Sequence, residues 1–433
     1  MNLSQVFRKN IFWFYDFLRG DDIKNHYEDI KKIIENPHSA PSQSKKEKYL
    51  KGILDHAVAT TNFYQPYTNY NSISDFPIIN KNMIRDNFED YKSSKYKVKN
   101  CVLVSTSGST GAPFSVLQNM SKRCRNTADN LYFSKRSGYN IGQKLVYVKI
   151  WPKSVNRRMF SRSWIQNISP HSVFKLKDQD IDELIKTLKN DSSQKSFLGY
   201  TSAFERICRY LDKINSEPIS CNVQSVITMS ESLNEYTRHS MEKYFGVSAV
   251  SRYSNNENGI LAQEERSKFR NFTINSASYY IEVLDMEKDI PIAKGKQGRI
   301  VVTDLHNYAM PLLRYDTGDI GIMDEDEHGV LFLKSVEGRK LDLIYDTKGN
   351  MVPSHISSQL CKYGDYKQFQ LIQYCEKAYL IKLNTDKKVD EHKMIEEFKG
   401  YFGQDAQIKI EYVDEIPLLS SGKRKEVRNT FHT

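Results

Sequence analysis

Within residues 45–59 the apolar positions Tyr49, Leu50, Ile53, Leu54, Ala57 and Val58 recur at intervals of three and four, the spacing of one buried stripe on a helix. Residues 1 to about 90 read as helical, with turn chemistry at 75–79 and a second short helix predicted over 81–88. From residue 100 the texture changes. The short apolar, β-branched runs 102–104, 145–150 and 223–229 suit buried strands, and the amphipathic stretches 181–188 and 204–214 lie between them. Strands alternating with helices imply a largely parallel sheet covered by helices. Residues 279–303 alternate in a strand-like way, are broken at Gly295 and Gly298, and suit a smaller β subdomain. After Gly338 the pattern becomes strand, turn, helix, strand, helix over about ninety-five residues, the length of a small α+β domain. The expected fold class is α/β: a large N-terminal domain, 1–338, of helix-covered, mostly parallel sheet plus the β subdomain, and a small C-terminal α+β domain, 339–433.

At 433 residues the chain exceeds the size at which single cores stop growing. The six cysteines, Cys101, Cys124, Cys208, Cys221, Cys361 and Cys375, form no C-x-x-C pair, which argues against a zinc ribbon and for free thiols in a reducing cytoplasm. The net charge of +10 is spread along the chain among 53 acidic residues. It reads as a surface favouring anionic substrates, not a nucleic-acid footprint. The apolar stretch 11–18 (IFWFYDFL) contains Asp16 and is too short to cross a bilayer. No signal peptide is apparent; the expected location is the cytoplasm, with docking of that stretch on a membrane surface or a partner left open.

The chemistry concentrates in 104–114, VSTSGSTGAPF. Seven consecutive residues, Ser105, Thr106, Ser107, Gly108, Ser109, Thr110 and Gly111, are small, hydroxylated or glycine, directly after an apolar strand. Such a loop can wrap a phosphate with backbone N–H groups and hydroxyls. It is not a Walker A loop, because Gly108 and Gly111 are too close together and Ala112 follows.

This loop resembles the Ser/Thr/Gly-rich triphosphate loop of the adenylate-forming superfamily, which includes acyl-CoA synthetases and luciferase-like enzymes, and within it phenylacetate-CoA ligases and CapK-type capsule-biosynthesis proteins. Four further stretches fall in the family's order. RYSNNENG (252–259) resembles the segment ending in a magnesium-binding glutamate, here Glu257, with Asn255 and Asn256 beside the nucleotide. LLRYDTGD (312–319) resembles the motif whose last aspartate, here Asp319, grips the ribose hydroxyls. EGRKLD (337–342) resembles the interdomain junction, with Arg339 as a second ribose and phosphate contact. SSGKRKEVR (420–428) resembles the C-terminal motif whose lysine, here Lys423, bonds the carboxylate and α-phosphate. Softer likeness, including PIINKNMIRDN, extends the resemblance from about residue 47 to the end of the sequence.

The resemblance implies ATP and Mg²⁺ as cofactors, Lys423, Glu257 and Thr110 as catalytic groups, and Glu257 as the metal ligand. It puts Tyr200, Ser230 and Tyr253 in the acyl pocket. Adenylation brings a carboxylate onto the α-phosphorus, so two anions must meet, and a metal ion and a lysine offset the repulsion. The partner is then a small carboxylic acid, with the acceptor either an amine in surface-polysaccharide assembly or the thiol of CoA. Nucleic acid is not expected; peripheral membrane or glycan-assembly association and a homodimer stay open. A non-catalytic nucleotide-binding scaffold is the remaining alternative. Two positions depart from the family pattern: Ala112 stands where relatives carry a loop lysine, and Leu341 where they place a polar hinge residue.

Overall fold

The computed structural model describes residues 3–105, 114–149, 151, 165–173, 176–266, 268–339, 344–349, 351–352, 360, 363, 366, 368–417 and 427–431. The chain divides into two compact units, Met1–Thr317 with Gly321–Val336, and Gly318–Ile320 with Glu337–Thr433.

The first unit begins with helices α1 (Leu3–Phe17), α2 (Asp22–Glu35), α3 (Ala40–Thr60) and α4 (Lys81–Asp86). Ser39 caps α3, its hydroxyl accepting from Ser42 N at 3.4 Å. The stripe on α3 buries Ile53, Leu54 and Ala57 in one apolar cluster with Tyr64, Phe76, Ile79, Leu313 and Tyr315. Next come β1 (Val102–Ser105) and β2 (Ser115–Gln118), an antiparallel ribbon pairing Ser105 with Ser115. Val102 and Leu103 are exposed, contrary to the buried strand their composition predicts. Among the described strands β1 pairs with β2 alone, so it lacks the cover that a strand inside a wide sheet has.

Helix α5 (Met120–Arg136) leads into a parallel array: β3 (Lys144–Lys149), β4 (Ile168–Ser172), α6 (Asp178–Asn190), β5 (Lys195–Tyr200), α7 (Thr201–Lys213), β6 (Val223–Met229), α8 (Glu235–Phe245) and β7 (Ala249–Asn255). Strands β3 to β7 run parallel to one another, as the strand–helix alternation predicts. The apolar faces of α6, α7 and α8 cover one side through Ile181, Leu184, Phe204, Ile207, Met241 and Tyr244.

The chain continues through β8 (Gly259–Glu265), β9 (Lys268–Ile274), β10 (Tyr279–Leu284), β11 (Gln297–Asp304), β12 (Tyr315–Glu325) and β13 (Leu331–Arg339). These strands extend the same sheet, whose order is β10-β11-β12-β13-β9-β8-β7-β6-β5-β3-β4. Gly298 lies inside β11 and does not break it. A Cβ there would sit 2.2 Å from Leu284 O on the paired strand, so close strand approach, not chain reversal, selects the glycine.

The second unit has its own core. Strands β14 (Ile344–Tyr345) and β15 (Met351–Val352) form a short hairpin. Strands β16 (Gln368–Cys375), β17 (Ala378–Asn384), β18 (Gln407–Tyr412) and β19 (Val427–Asn429) form a sheet of order β18-β17-β16-β19. Helix α9 (Glu391–Phe402) lies between β17 and β18 in sequence and contributes Met394, Phe398 and Phe402 to the core, Phe402 stacking on Tyr379 at 4.1 Å.

Helix α5 carries two cations with no exposure, Lys122 and Arg125. Arg125 donates to Asp29 at 2.8 Å, to Ser278 Oγ at 2.8 Å and to Ala277 O at 2.6 Å. Lys122 pairs with Asp304 at 2.7 Å. Removing one member of a buried pair leaves the other charge unpartnered. Arg125→Ala is therefore expected to lower unfolding free energy by ~3–5 kcal/mol, read by urea denaturation.

Burial and the nearby Arg125 hold His26 down to about 4, from 6.5. Above 6.5 neither the folded nor the unfolded chain protonates this ring. As the pH falls from 6.5 toward 4, the unfolded chain takes up a proton that the folded chain refuses, so stability falls. The expected result is that His26→Gln shows a shallower loss of melting temperature across that window than the parent protein.

Candidate functional site

Parallel strands in an α/β sheet present their C-terminal ends as the customary ligand edge. In this sheet Tyr200 ends β5 opposite Met229 of β6, and Met229 pairs with Arg252 of β7. Tyr200, Ser230 and Tyr253 therefore come from the same end of three adjacent strands. Ser230 holds φ +69, a left-handed backbone that a non-glycine residue adopts only under constraint. The Tyr253 hydroxyl donates to Thr317 Oγ1 at 3.2 Å.

Strand β7 runs on into the turn that carries Asn255, Asn256 and Glu257. The turn is fixed by Asn255 Oδ1 accepting from Asn258 N at 2.9 Å, and by Gln118 Nε2 donating to the Glu257 carbonyl at 2.8 Å. Gly259, at φ +130, closes it; a Cβ there would lie 2.8 Å from Asn126 Oδ1 and Tyr279 Oη. Asn256 Nδ2 reaches the Ser105 carbonyl at 3.5 Å, linking this turn to the end of β1.

Glu257 is 1 % exposed. Its Oε1 accepts from the Tyr315 hydroxyl at 2.7 Å and meets Lys81 Nζ at 3.1 Å. Asn255 Nδ2 is buried without a partner among the described residues.

Two segments far apart in sequence build this arrangement. Ile79 bridges Tyr315 in parallel fashion, with Ile79 N donating to Arg314 O at 3.1 Å and Asp316 N to Ile79 O at 2.8 Å. Asn80 then caps α4, its side chain accepting from Asn82 N at 3.0 Å and Met83 N at 3.1 Å, which starts the helix at Lys81. The Tyr315 ring stacks on Phe114 at 6.1 Å, and Lys81 Nζ lies 5.9 Å from the centre of the same Phe114 ring.

Of the residues singled out from sequence, the structure brings Glu257, Asn255, Asn256 and Ser105 together, with Tyr253, Ser230 and Tyr200 along the same strand ends. The Ser105 hydroxyl is engaged across the ribbon with Ser115 Oγ at 2.8 Å. Asp319 is half-buried in β12, directly after Gly318 at φ +77. Arg339 ends β13, and its side chain lies outside the described residues, as do Thr106, Ser107, Gly108, Ser109, Thr110, Gly111, Ala112, Leu341 and Lys423.

Two features escape sequence reasoning. Lys81 and Tyr315 both sit inside motifs recognised for other reasons, and only the bridge at Ile79 reveals that they share a carboxylate. At the end of β3, Lys149 lies 4.6 Å from the Tyr147 ring centre and 4.5 Å from that of Trp151, and burial pushes its ammonium down. The Tyr147 hydroxyl approaches Met229 Sδ at 3.9 Å. A basic residue flanked by aromatics is the available signal. Among the described residues no group of three or more His, Cys, Asp or Glu gathers to hold a metal.

The fold matches a crystal structure of 2-hydroxyisobutyryl-CoA ligase, in the postadenylation state with 2-HIB-AMP, at a TM-score of 0.70 and 14% identity, covering 90% of each chain. The chain thus has the fold of the adenylate-forming superfamily, and its sequence matches fall in the same superfamily. Residues 344–430 match the CapK C-terminal domain. Over 441 aligned residues the chain is 24% identical to Protein CapK of Staphylococcus aureus, covering 96% of this chain and 94% of that protein. It is 20% identical to phenylacetate-coenzyme A ligase of Aromatoleum evansii over 235 residues, covering 50% of this chain and 53% of that protein.

The Tyr315 hydroxyl serves a buried charge and that of Tyr253 a neutral threonine. Charged acceptors lose more when a donor is removed. Tyr315→Phe is expected to lower stability by ~2–3 kcal/mol and Tyr253→Phe by ~1 kcal/mol in parallel urea titrations; equal losses would separate Tyr315 from Glu257.

Proposed function

We propose that the chain is a ligase that uses ATP and Mg²⁺ to activate a carboxylic acid as an acyl-adenylate. The carboxylate attacks the α-phosphorus, the bond to the β-phosphate oxygen breaks, and pyrophosphate leaves. The observation that carries this reading is Glu257: a buried carboxylate whose Oε1 meets Tyr315 and Lys81, beside the start of a Ser/Thr/Gly loop. Mg²⁺ characteristically takes one or two protein carboxylates and completes its shell with phosphates and water, so this donor set fits it. When bound, the ion supplies neutralisation of the phosphate charge.

The chain's own residues do the rest. Tyr315 fixes the Glu257 carboxylate. Lys81 brings a second cation to the same place, supplying a charge that Ala112 does not. Tyr200, Ser230 and Tyr253 bound the acyl pocket, and Asn255 offers a buried amide donor toward the ligand. Thr106 to Gly111 wrap the phosphates, Asp319 and Arg339 hold the ribose, and Lys423 stabilises the charge developing at the α-phosphate.

For the acceptor, the resemblance to CapK-type capsule-biosynthesis proteins implies an amine in surface-polysaccharide assembly, and the chain aligns with Protein CapK over 96% of its residues. A CoA thioester is the second reading, supported by the relatives and structural neighbours named as CoA ligases.

The test is carboxylate-dependent exchange of labelled pyrophosphate into ATP across aryl, fatty, amino and sugar acids. Exchange with at least one acid is expected. Lys423→Ala should abolish it while ATP binding persists, and Glu257→Gln should slow it on the order of 10²–10³-fold. ATP binding with no exchange for any acid would overturn the ligase reading in favour of a nucleotide-binding scaffold.

A further inference from the structure

The fully buried residues of helix α1 are polar, Gln5 and Asp16, while Ile11, Phe12 and Trp13 are half-buried. Gln5 Nε2 donates to Gln194 O at 2.9 Å, and the backbone of Gln5 packs so tightly on Gly142 that a Cβ there would lie 2.2 Å from Gln5 O. At the other end the Asp16 carboxylate accepts from Ile23 N at 3.1 Å and Lys24 N at 2.9 Å, capping the start of α2. The helix is therefore anchored at both ends by polar contacts, with the Trp13 ring meeting that of Tyr27 at 6.1 Å between them.

The remaining apolar side chains face out: Leu3, Phe7, Phe14 and Phe17 are 90%, 59%, 62% and 61% exposed, and Leu18, directly after the helix, is 63% exposed. At 100° per residue Leu3, Val6, Phe7, Phe14 and Phe17 fall, with Asn10 among them, on a single arc of roughly 100° opposite Gln5 and Asp16. Isolated apolar residues on a surface are ordinary, but a contiguous aromatic arc is not.

The charges beside the arc select the occupant. The cations of α1 are Arg8 and Lys9, and its one acid, Asp16, is consumed inside the fold. A cleft of about 520 Å³ opens beside the arc, lined by Lys9, Lys24 and Lys135 against Asp21 and Glu28, with Phe14 and Phe17 on its apolar side. A second copy of the chain would bring like charges together across this face. A bilayer carrying anionic lipid satisfies both halves, accepting the aromatic arc at headgroup depth and meeting the lysines with phosphate. No described helix is long and apolar enough to cross a membrane, so the contact would be peripheral.

The geometry points to α1 as an interfacial anchor that seats this chain on an anionic membrane surface, with the Lys9, Lys24 and Lys135 cleft taking a lipid headgroup. The test is co-sedimentation of the full chain with phosphatidylglycerol-rich vesicles and with pure phosphatidylcholine vesicles. Binding to the anionic vesicles is expected, weakening as salt rises. Phe14→Ser combined with Phe17→Ser should reduce it on the order of tenfold or more. Lys9→Glu combined with Lys24→Glu should remove the preference for phosphatidylglycerol. All four positions lie on the surface side of α1 and α2, and circular dichroism with thermal melting verifies each fold; should the phenylalanine variant fail to fold, the lysine variant decides. Absence of vesicle binding by the parent protein, or binding unchanged in the folded variants, overturns the proposal. So does a concentration-dependent dimer, lost with Phe14 and Phe17, that shows no vesicle binding.

Discussion

Two cations buried without exposure on α5 constrain most of the larger unit. An ammonium and a guanidinium in an apolar interior must be met by anions and acceptors, or the segment cannot pack. Asp29 of α2 and Asp304 at the end of β11 meet them, and Ser278 and Ala277 complete the set around Arg125. The N-terminal helices, the long helix and the antiparallel end of the sheet are thereby held to one another by directional contacts. Asp304 also organises the chain immediately beyond β11. Its Oδ1 accepts from His306 N at 2.9 Å and Asn307 N at 3.1 Å, and Asn307 Nδ2 donates to Leu117 O at 2.9 Å. One residue on, Gln118 holds the Glu257 carbonyl, so the charge network and the candidate site share a strand.

That sharing explains how a loop-borne carboxylate can be rigid. Loops carry chemistry because they are free to vary, yet an electrostatic site needs its charges fixed in advance. Here rigidity comes from both sides of the turn: an amide below the Glu257 main chain, and a phenol stacked on Phe114 above the side chain.

Much of this is legible in the sequence. The run 223–229 coincides with Val223–Met229, and the amphipathic stretches match α6 and, to within one residue, α7, because period and burial agree there. The helical stripe of α3 is equally clear. Exposure of Val102 and Leu103 is not, since composition cannot tell whether a strand has neighbours on both sides. Gly298 misleads because a glycine that ends a strand and one that admits a close neighbour look the same in a sequence. At the site, Glu257 can be named from its motif, but its relation to Lys81 depends on a backbone bridge between Ile79 and Tyr315 that no local pattern encodes.

The bridge also bears on the order in which the protein can assemble during synthesis. Lys81 and Glu257 both leave the ribosome before Tyr315, yet the strand segment that brings them face to face is the later one. Until it is made, the parallel half of the sheet can form while its carboxylate lacks the phenol that will hold it. Contacts of long sequence separation close last and slowest. A chain halted between these points would lack both the phenol and the backbone bridge that fix this carboxylate.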